Sequence, residues 1–473
     1  MTDAVPDPGS FRDPSGRVYH RDGKVYRTVA GPAAADFEFV RGSGLIERLA
    51  GEGRVLGAQV VPSEALGAYG RDAAYVVEHP RLSFISYPYE WPFPALKAAA
   101  LLHLGIQIEA LDAGIALADA SAFNIQFRGV RPVFIDLLSF RRYRDGEMWT
   151  GHRQFCEQFL NPLLLRAKCG VAYNAWYRGT QEGVPAGDLR RLLPWTSKIS
   201  RNILLHVIAP SAFQNAPLAN GANGAAVLKT GLPTAAYRRL LVKLRDWIAT
   251  LEPADTGKTV WQDYAASHSY AGNEFALKQA FIAKFAEEVA PDLLWDLGCN
   301  SGDFSAISLE HGARAAIGFD MDHGALERAF ARAETADLAF TPLYMDGANP
   351  SPGQGWNESE RHGFARRANA DAILALAFVH HLAIGRNIPL PELAKWLTGL
   401  APHGVIEFVP KQDPMVQRLL SLRADIFPDY TEAHFLHCLA RTARIVETQT
   451  VTGSGRTLIR FQRTTGAEHA DRH

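Results

Sequence analysis

Five short apolar runs, at residues 293–297, 315–319, 338–343, 372–376 and 404–409, alternate with stretches of helical spacing through the C-terminal half of this chain. No other feature constrains the fold as strongly. Neighbouring parallel strands need a long crossover connection, and helices on the faces of the sheet provide it. The expected fold class is therefore α/β, with a doubly wound, Rossmann-like sheet over 253–463. Pro253 and the polar residues up to Lys258 break the preceding helix, which puts the domain boundary near residue 252. The final stretch, 464–473, is polar and reads as a frayed tail.

The first of these strands runs into Asp296-Leu297-Gly298-Cys299-Asn300-Ser301-Gly302. An acid at a strand end followed by a turn of small residues lets the backbone come close to a nucleotide-like ligand. Gly298 and Gly302 carry no Cβ, and Asn300 is one of the few other residues that tolerates a left-handed conformation. The second strand ends at Asp320, where a carboxylate can accept from both hydroxyls of a ribose. Met345-Asp346 follow the third strand, and His380-His381 follow the fourth. An imidazole titrates near neutral pH, so each histidine is a candidate general base; packing, or a hydrogen bond to a loop carbonyl, is the equally open alternative. Tyr264 and Tyr270 precede the helix that leads into the first strand, placed either to close over a ligand or to pack the domain edge. Glu407, at the end of the fifth strand, is a further candidate to line the same crevice.

Taken in order, these residues resemble class I S-adenosylmethionine-dependent methyltransferases. The resemblance implies S-adenosyl-L-methionine as cofactor, bound by Asp296, Gly298, Asn300, Gly302, Asp320, Asp346 and Tyr270. The turn would hold the methionine and ribose portions, Asp320 the ribose diol, and Asp346 would lie beside the adenine amine. His380 and His381 are the catalytic candidates. This chain departs from the commonest form in having Asn300 where a middle glycine is usual. It also lacks the Asn/Asp-Pro-Pro-aromatic signature used on amide or nucleobase nitrogens, which favours an oxygen acceptor.

The first half reads differently. Residues 17–29 form a predicted hairpin about Asp22-Gly23, and 74–87 are strand-like up to the prolines at 88, 92 and 94. A helix is expected over 36–49, and a longer one over 95–113 with a stripe through Leu101, Leu104, Ile108 and Leu111. A second hairpin follows over 124–136. Residues 208–233, rich in Ala, Gly, Asn and Pro, read as an excursion, either a lid or a loop. An amphipathic helix over 237–251 turns a basic face outward.

Asp119, Asn124 and Asp136 lie in the order helix, loop Asp, Asn, hairpin, Asp. This order resembles the catalytic segment of protein-kinase-like phosphotransferases, and it implies a two-lobed α+β kinase-like domain over 1–252 with a small β-rich lobe to about 90. In that family the first Asp orients the acceptor hydroxyl, and the Asn and the last Asp hold magnesium on the nucleotide. ATP with Mg2+ on Asn124 and Asp136 is thus implied if the site binds nucleotide. The departures are substantial: Leu117-Ala118 replaces His-Arg, Leu137-Leu138 follows Asp136, and no glycine-rich phosphate loop is evident, with only Lys24 or Arg27 to stand for the phosphate-binding lysine. Active phosphotransfer, a non-catalytic scaffold or nucleotide sensor, and coincidence all stay open.

At the scale of the whole chain, Tyr89-Glu-Trp-Pro-Phe93, Asp119 to Asn124, Phe134-Ile-Asp136, Asp296-Leu-Gly-Cys-Asn and His380-His381-Leu382 resemble rhizobial nodulation host-specificity methyltransferases and their bacterial relatives, over about residues 10 to 463. That resemblance implies a glycan, glycolipid or small-molecule acceptor. Composition narrows the partners further. With 49 basic and 50 acidic residues among 473, the net charge of −1 offers no global attraction to nucleic acid or an anionic membrane. No export signal or membrane span is visible, and four scattered cysteines without a Cys-x-x-Cys pair read as free thiols rather than a disulfide or zinc scaffold. The expected location is the cytoplasm.

Overall fold

The computed structural model describes residues 3–147, 149–214, 232–254, 272–421 and 424–464. The chain divides into two compact units, Met1–Thr256 together with Gly353–His362, and Gly257–Pro352 together with Gly363–His473. Tyr264, Tyr270, most of the 208–233 excursion and the tail from 465 lie outside the described residues. Among the described residues no helix is long and apolar enough to cross a membrane.

The first unit opens with strands β1 (Val5–Pro6), β2 (Val18–Arg21), β3 (Lys24–Val29), β4 (Gln59–Val61) and β5 (Tyr75–His79), which form an antiparallel sheet in the order β1-β2-β3-β5-β4. The predicted first hairpin is β2–β3. Its turn holds Asp22 at φ 48° and Gly23 at φ 77°, the two left-handed residues that a tight two-residue turn needs. The helix expected over 36–49 is instead two, Ala34–Gly42 and Leu45–Gly51, because Gly44 at φ 72° ends one and starts the other. The long helix spans Phe93–Asp112, but it is not amphipathic. Ala95, Ala99, Ala100, His103, Gln107 and Ala110 are buried along with Leu96, Leu104, Ile106, Ile108 and Leu111, and Leu101 is half-buried, so the helix is enclosed on nearly all sides. It packs against the helix Thr234–Ala249. Two small antiparallel pairs follow, β6 (Ile115–Leu117) with β9 (Phe140–Arg142), and β7 (Ile125–Arg128) with β8 (Arg131–Phe134), the predicted second hairpin, and a run of helices from His152 to Gln214 comes after them. The segment Gly353–His362 joins this unit through the Arg12–Glu360 ion pair, a Phe11–Trp356 ring contact at 5.6 Å and Arg361 over the Phe123 ring at 4.4 Å.

The second unit is built on strands β10 (Leu294–Leu297), β11 (Ala316–Asp320), β12 (Phe340–Tyr344), β13 (Ala372–Ala375), β14 (His403–Phe408), β15 (Ala443–Thr450) and β16 (Thr457–Arg463). They lie in the order β12-β11-β10-β13-β14-β16-β15. The first five are parallel, and β16 inserts antiparallel between β14 and β15. All residues of β10 and β13 are buried, as expected where helices cover both faces. Trp295, Phe319 and Phe364 pack together, edge-on or tilted, with centroids 5.0–5.2 Å apart. The chain turns from β10 to β11 on one side and later returns to β13 on the other. This leaves the crevice at the carboxyl ends of the strands that open α/β sheets use for ligands.

Candidate functional site

At that crevice the second unit holds a cavity of about 730 Å3, large enough for a nucleotide-sized ligand. Asp296, Gly298 and Asn300 line it from the end of β10 and the turn after it. Asp320 and Asp322 line it from the end of β11, Asp346 from the end of β12, and Phe378 and His381 from the loop and short helix after β13. Consecutive parallel strands deliver their C-terminal residues to one edge, so carboxylates far apart in sequence converge.

The turn adopts the conformations its residue types permit. Gly298, Asn300 and Gly302 have φ of 80°, 49° and 78°. A Cβ on Gly302 would lie 2.4 Å from the Phe340 ring, so glycine is required there for space as well as for conformation. Gly302 is also the residue before the helix Asp303–Glu310, and it is absent from the cavity lining. Asp320 ties the two strand ends together: its Oδ2 accepts from the Asn300 N–H and its Oδ1 from the Asp322 N–H, both at 2.9 Å. Burial pushes the Asp320 carboxyl above its usual range, against the pull of those N–H donors. Asp296 goes further. Burial raises it to about 7, opposed by the Ser305 hydroxyl that donates to it at 2.7 Å and reinforced by Asp320. Asp346 accepts from the Ala348 N–H at 3.0 Å.

The two histidines separate. His380 is fully enclosed and outside the cavity lining, whereas His381 lines the cavity. Their rings are 4.1 Å apart. Burial lowers the His381 pKa to about 4, with Arg456 adding to the effect, so its imidazole is neutral at pH 7. Glu407 is not a lining residue. It is completely buried, accepts from Lys278 at 2.8 Å and from the Ala377 N–H at 2.8 Å, and lies 3.7 Å from Arg456. Ala377 is held at φ 48°, a left-handed state that costs alanine about 1 kcal/mol or more, and the Glu407 bond anchors it there. Lys278, Arg456, Phe275 and Leu419 also line the cavity, and none carries a local sequence signal for it.

In the first unit Asp119, Asn124 and Asp136 also meet. The Asn124 amide lies 3.2 Å from both Asp119 oxygens and 3.2 Å from the Ser139 hydroxyl, which bonds Asp119 and, at 2.8 Å, Asp136. Arg27 pairs with Asp136 at 2.6 Å and with Asp13. Burial, and next the charge of Asp136, raise the Asp119 pKa. Lys24 instead pairs with Glu78 at 2.9 Å.

No protein-family profile matches the chain. It is 46% identical over 466 residues to nodulation protein NoeA of Rhizobium meliloti (strain 1021), in an alignment that spans 97% of each chain. The chain belongs to the NoeA family. Among solved structures, N-methyltransferase NodS from Bradyrhizobium japonicum WM9 is 14% identical, with 41% of this NoeA-family chain and 99% of that one covered at a TM-score of 0.31. Magnesium protoporphyrin IX methyltransferase ChlM from Synechocystis PCC 6803, with bound SAH, is 17% identical, with 40% and 84% covered at a TM-score of 0.30.

Proposed function

We propose that this NoeA-family protein is a cytoplasmic S-adenosylmethionine-dependent methyltransferase acting on a hydroxyl of a glycan, glycolipid or small molecule. The observation that supports the reading best is the convergence of Asp296, Asp320, Asp346 and the turn at Gly298 and Asn300 on one cavity. The cavity fits the cofactor chemically. Its acidic groups are acceptors for ribose hydroxyls and an amine, and Met321, Met345, Phe378 and Leu382 supply apolar surface for an adenine and a sulfonium's carbon substituents. Bound there, the cofactor would supply a methyl carbon on a cationic sulfur. Asp320 is assigned to the ribose diol, Asp346 to the adenine amine, and the turn to the methionine and ribose portions, with Tyr270 a further proposed contact.

The protein's own part is to align the acceptor, exclude water and take up the hydroxyl proton. His381 is the proposed proton acceptor, since it reaches the cavity with a neutral imidazole. His380 is proposed to hold its neighbour in place.

The test is calorimetry with S-adenosylmethionine. Wild type should bind, and Asp320→Ala, which deletes an acceptor of charge-assisted hydrogen bonds worth about 1.5–3 kcal/mol, should weaken binding by roughly ten- to a hundredfold. Absence of binding by the wild type would end the reading. Methyl-labelled cofactor with fractionated cell extract then sorts the acceptor into lipid, glycan, protein or RNA.

A second reading is that the first unit is kinase-like and either positions the acceptor or phosphorylates it. The hydrogen-bonded meeting of Asp119, Asn124 and Asp136 favours it, while the Arg27–Asp136 pair puts a protein cation where Mg2+ would have to bind. A Mg2+-dependent thermal shift with ATP, lost in Asp136→Ala, is its test, and indifference to ATP removes nucleotide from the account.

A further inference from the structure

Away from both constellations, the helical part of the first unit brings together three side chains that the function above does not use. His152 Nε2 lies 3.0 Å from His206 Nδ1 and 3.6 Å from Cys156 Sγ, and the three donor atoms all fall within 4.8 Å of one another. Cys156 and His206 are buried and His152 is half-buried. Trp247 stacks on the His206 ring at 6.2 Å, and Trp149 lies edge-on to His152 at 5.8 Å.

The two spacings from His152 are close to those of a coordination sphere. Metal–nitrogen bonds of about 2.0 Å and metal–sulfur bonds of about 2.3 Å at tetrahedral angles give edges of about 3.3 Å between nitrogens and about 3.6 Å from nitrogen to sulfur. The observed 3.6 Å matches the second edge, and the 3.0 Å contact has to open by only about 0.3 Å to match the first.

The backbone gives an independent indication. Among the described residues π-helical turns occur at Cys156–Leu160 and Leu204–Ile208, and each carries one of these donors. Such wide turns are rare, and they concentrate at functional sites. A contrast within the same chain shows that helical spacing alone is not enough. His434 and Cys438 repeat the four-residue separation and the 3.6 Å contact, but no third donor joins them among the described residues.

We propose that His152, Cys156 and His206 bind one zinc ion, with water at the fourth vertex. Imidazole and thiolate are both donors that zinc accepts, and the four-coordinate geometry with water at the open vertex separates this set from the trigonal, axially ligated sites of copper with two histidines and one cysteine. On binding, the thiol proton leaves to solvent and sulfur, as thiolate, forms the bond to the metal; no electrons change hands. The ion ties the helical run at Arg201–Ile203 and Leu204–Ile208 to the one at His152–Phe155 and Cys156–Leu160. From this second run, Gln154 and Gln158 accept the backbone N–H groups of Ala120 and Ala122 at 2.9 and 2.8 Å. Zinc would therefore brace the loop that carries Asp119.

The test uses the full chain, stripped with chelator and then titrated with Zn2+ and, as a spectroscopic probe, Co2+. Mass spectrometry of the metal should find one zinc retained per chain. Co2+ should give the visible bands of a tetrahedral site and a thiolate charge-transfer band, both saturating at one equivalent. Cys156→Ser should abolish the charge-transfer band and weaken zinc retention roughly tenfold or more, and Cys438→Ser should change neither. His152→Gln, at a half-buried position and checked by circular dichroism, should lower retention even if Cys156→Ser does not fold. No stoichiometric metal in the wild type, a charge-transfer band that survives Cys156→Ser or vanishes in Cys438→Ser, unchanged retention in His152→Gln, or retention of copper in place of zinc would each overturn the assignment.

Discussion

Asp296 is a buried carboxyl at the cavity of the second unit, and Asp296→Asn tests how the site is held. The carboxyl is 2% exposed and its pKa is raised from 3.8 to about 7, chiefly by burial. The native state therefore keeps a proton that the unfolded chain has already released. For such an acid the stabilising contribution is complete below about pH 4, declines as pH rises through the interval between the two pKa values, and is fully lost above about pH 7. That interval is about three pH units wide, and at about 1.36 kcal/mol for each the full contribution comes to about 4 kcal/mol. Asparagine keeps the shape and an amide oxygen for the Ser305 hydroxyl, and it removes the titration. The assay is urea unfolding of the two chains in parallel across pH, where the contributions of titrating groups not coupled to Asp296 cancel in the difference. Relative to wild type, the variant should gain about 2 to 3 kcal/mol between about pH 5 and about pH 8.5, because that window covers most of the decline. A difference that stays flat with pH would refute the reasoning, since it would mean that Asp296 is as well solvated in the folded chain as in the unfolded one.

Two further substitutions probe how the cavity is built. Lys278→Met leaves the Glu407 carboxylate enclosed without its 2.8 Å partner and should destabilise the protein by about 3–5 kcal/mol. Calorimetry should find most of that loss recovered in Lys278→Met combined with Glu407→Gln; no recovery would mean the lysine acts by packing and not by charge. Gly302→Ala asks alanine to take φ 78° with its Cβ 2.4 Å from Phe340, so about 1–2 kcal/mol of backbone strain adds to about 1–3 kcal/mol of overpacking. Its melting temperature should fall clearly, and an unchanged one would show that the turn can relax.

The parallel strands were legible because each is largely buried on both faces and so stands out as a short, mostly apolar run. The same logic exposed Asp296, Asp320 and Asp346, since each lies at or within two residues of a strand's end, a position that sequence can locate. The signals that failed are those whose partner is distant. β15 and β16 carry no clean alternation, and although Gly453-Ser454-Gly455 marks a turn between them, nothing local says that β16 will insert antiparallel beside β14. Lys278 and Arg456 reach the cavity from either end of the unit, and only the fold brings them there. The pair His380-His381 reads as two equal candidates because sequence does not say which way a short helix faces. Successive residues on Val379–Ala383 point about 100° apart, which buries one imidazole and turns the other toward the cavity. His152 and Cys156 show the same limit from the opposite side. Their spacing is visible, but a pair so spaced also occurs at His434 and Cys438, and what distinguishes the first pair is His206, fifty residues on and brought close only by tertiary packing. Local periodicity determines which residues share a face, and the packing of elements against one another determines which faces become sites.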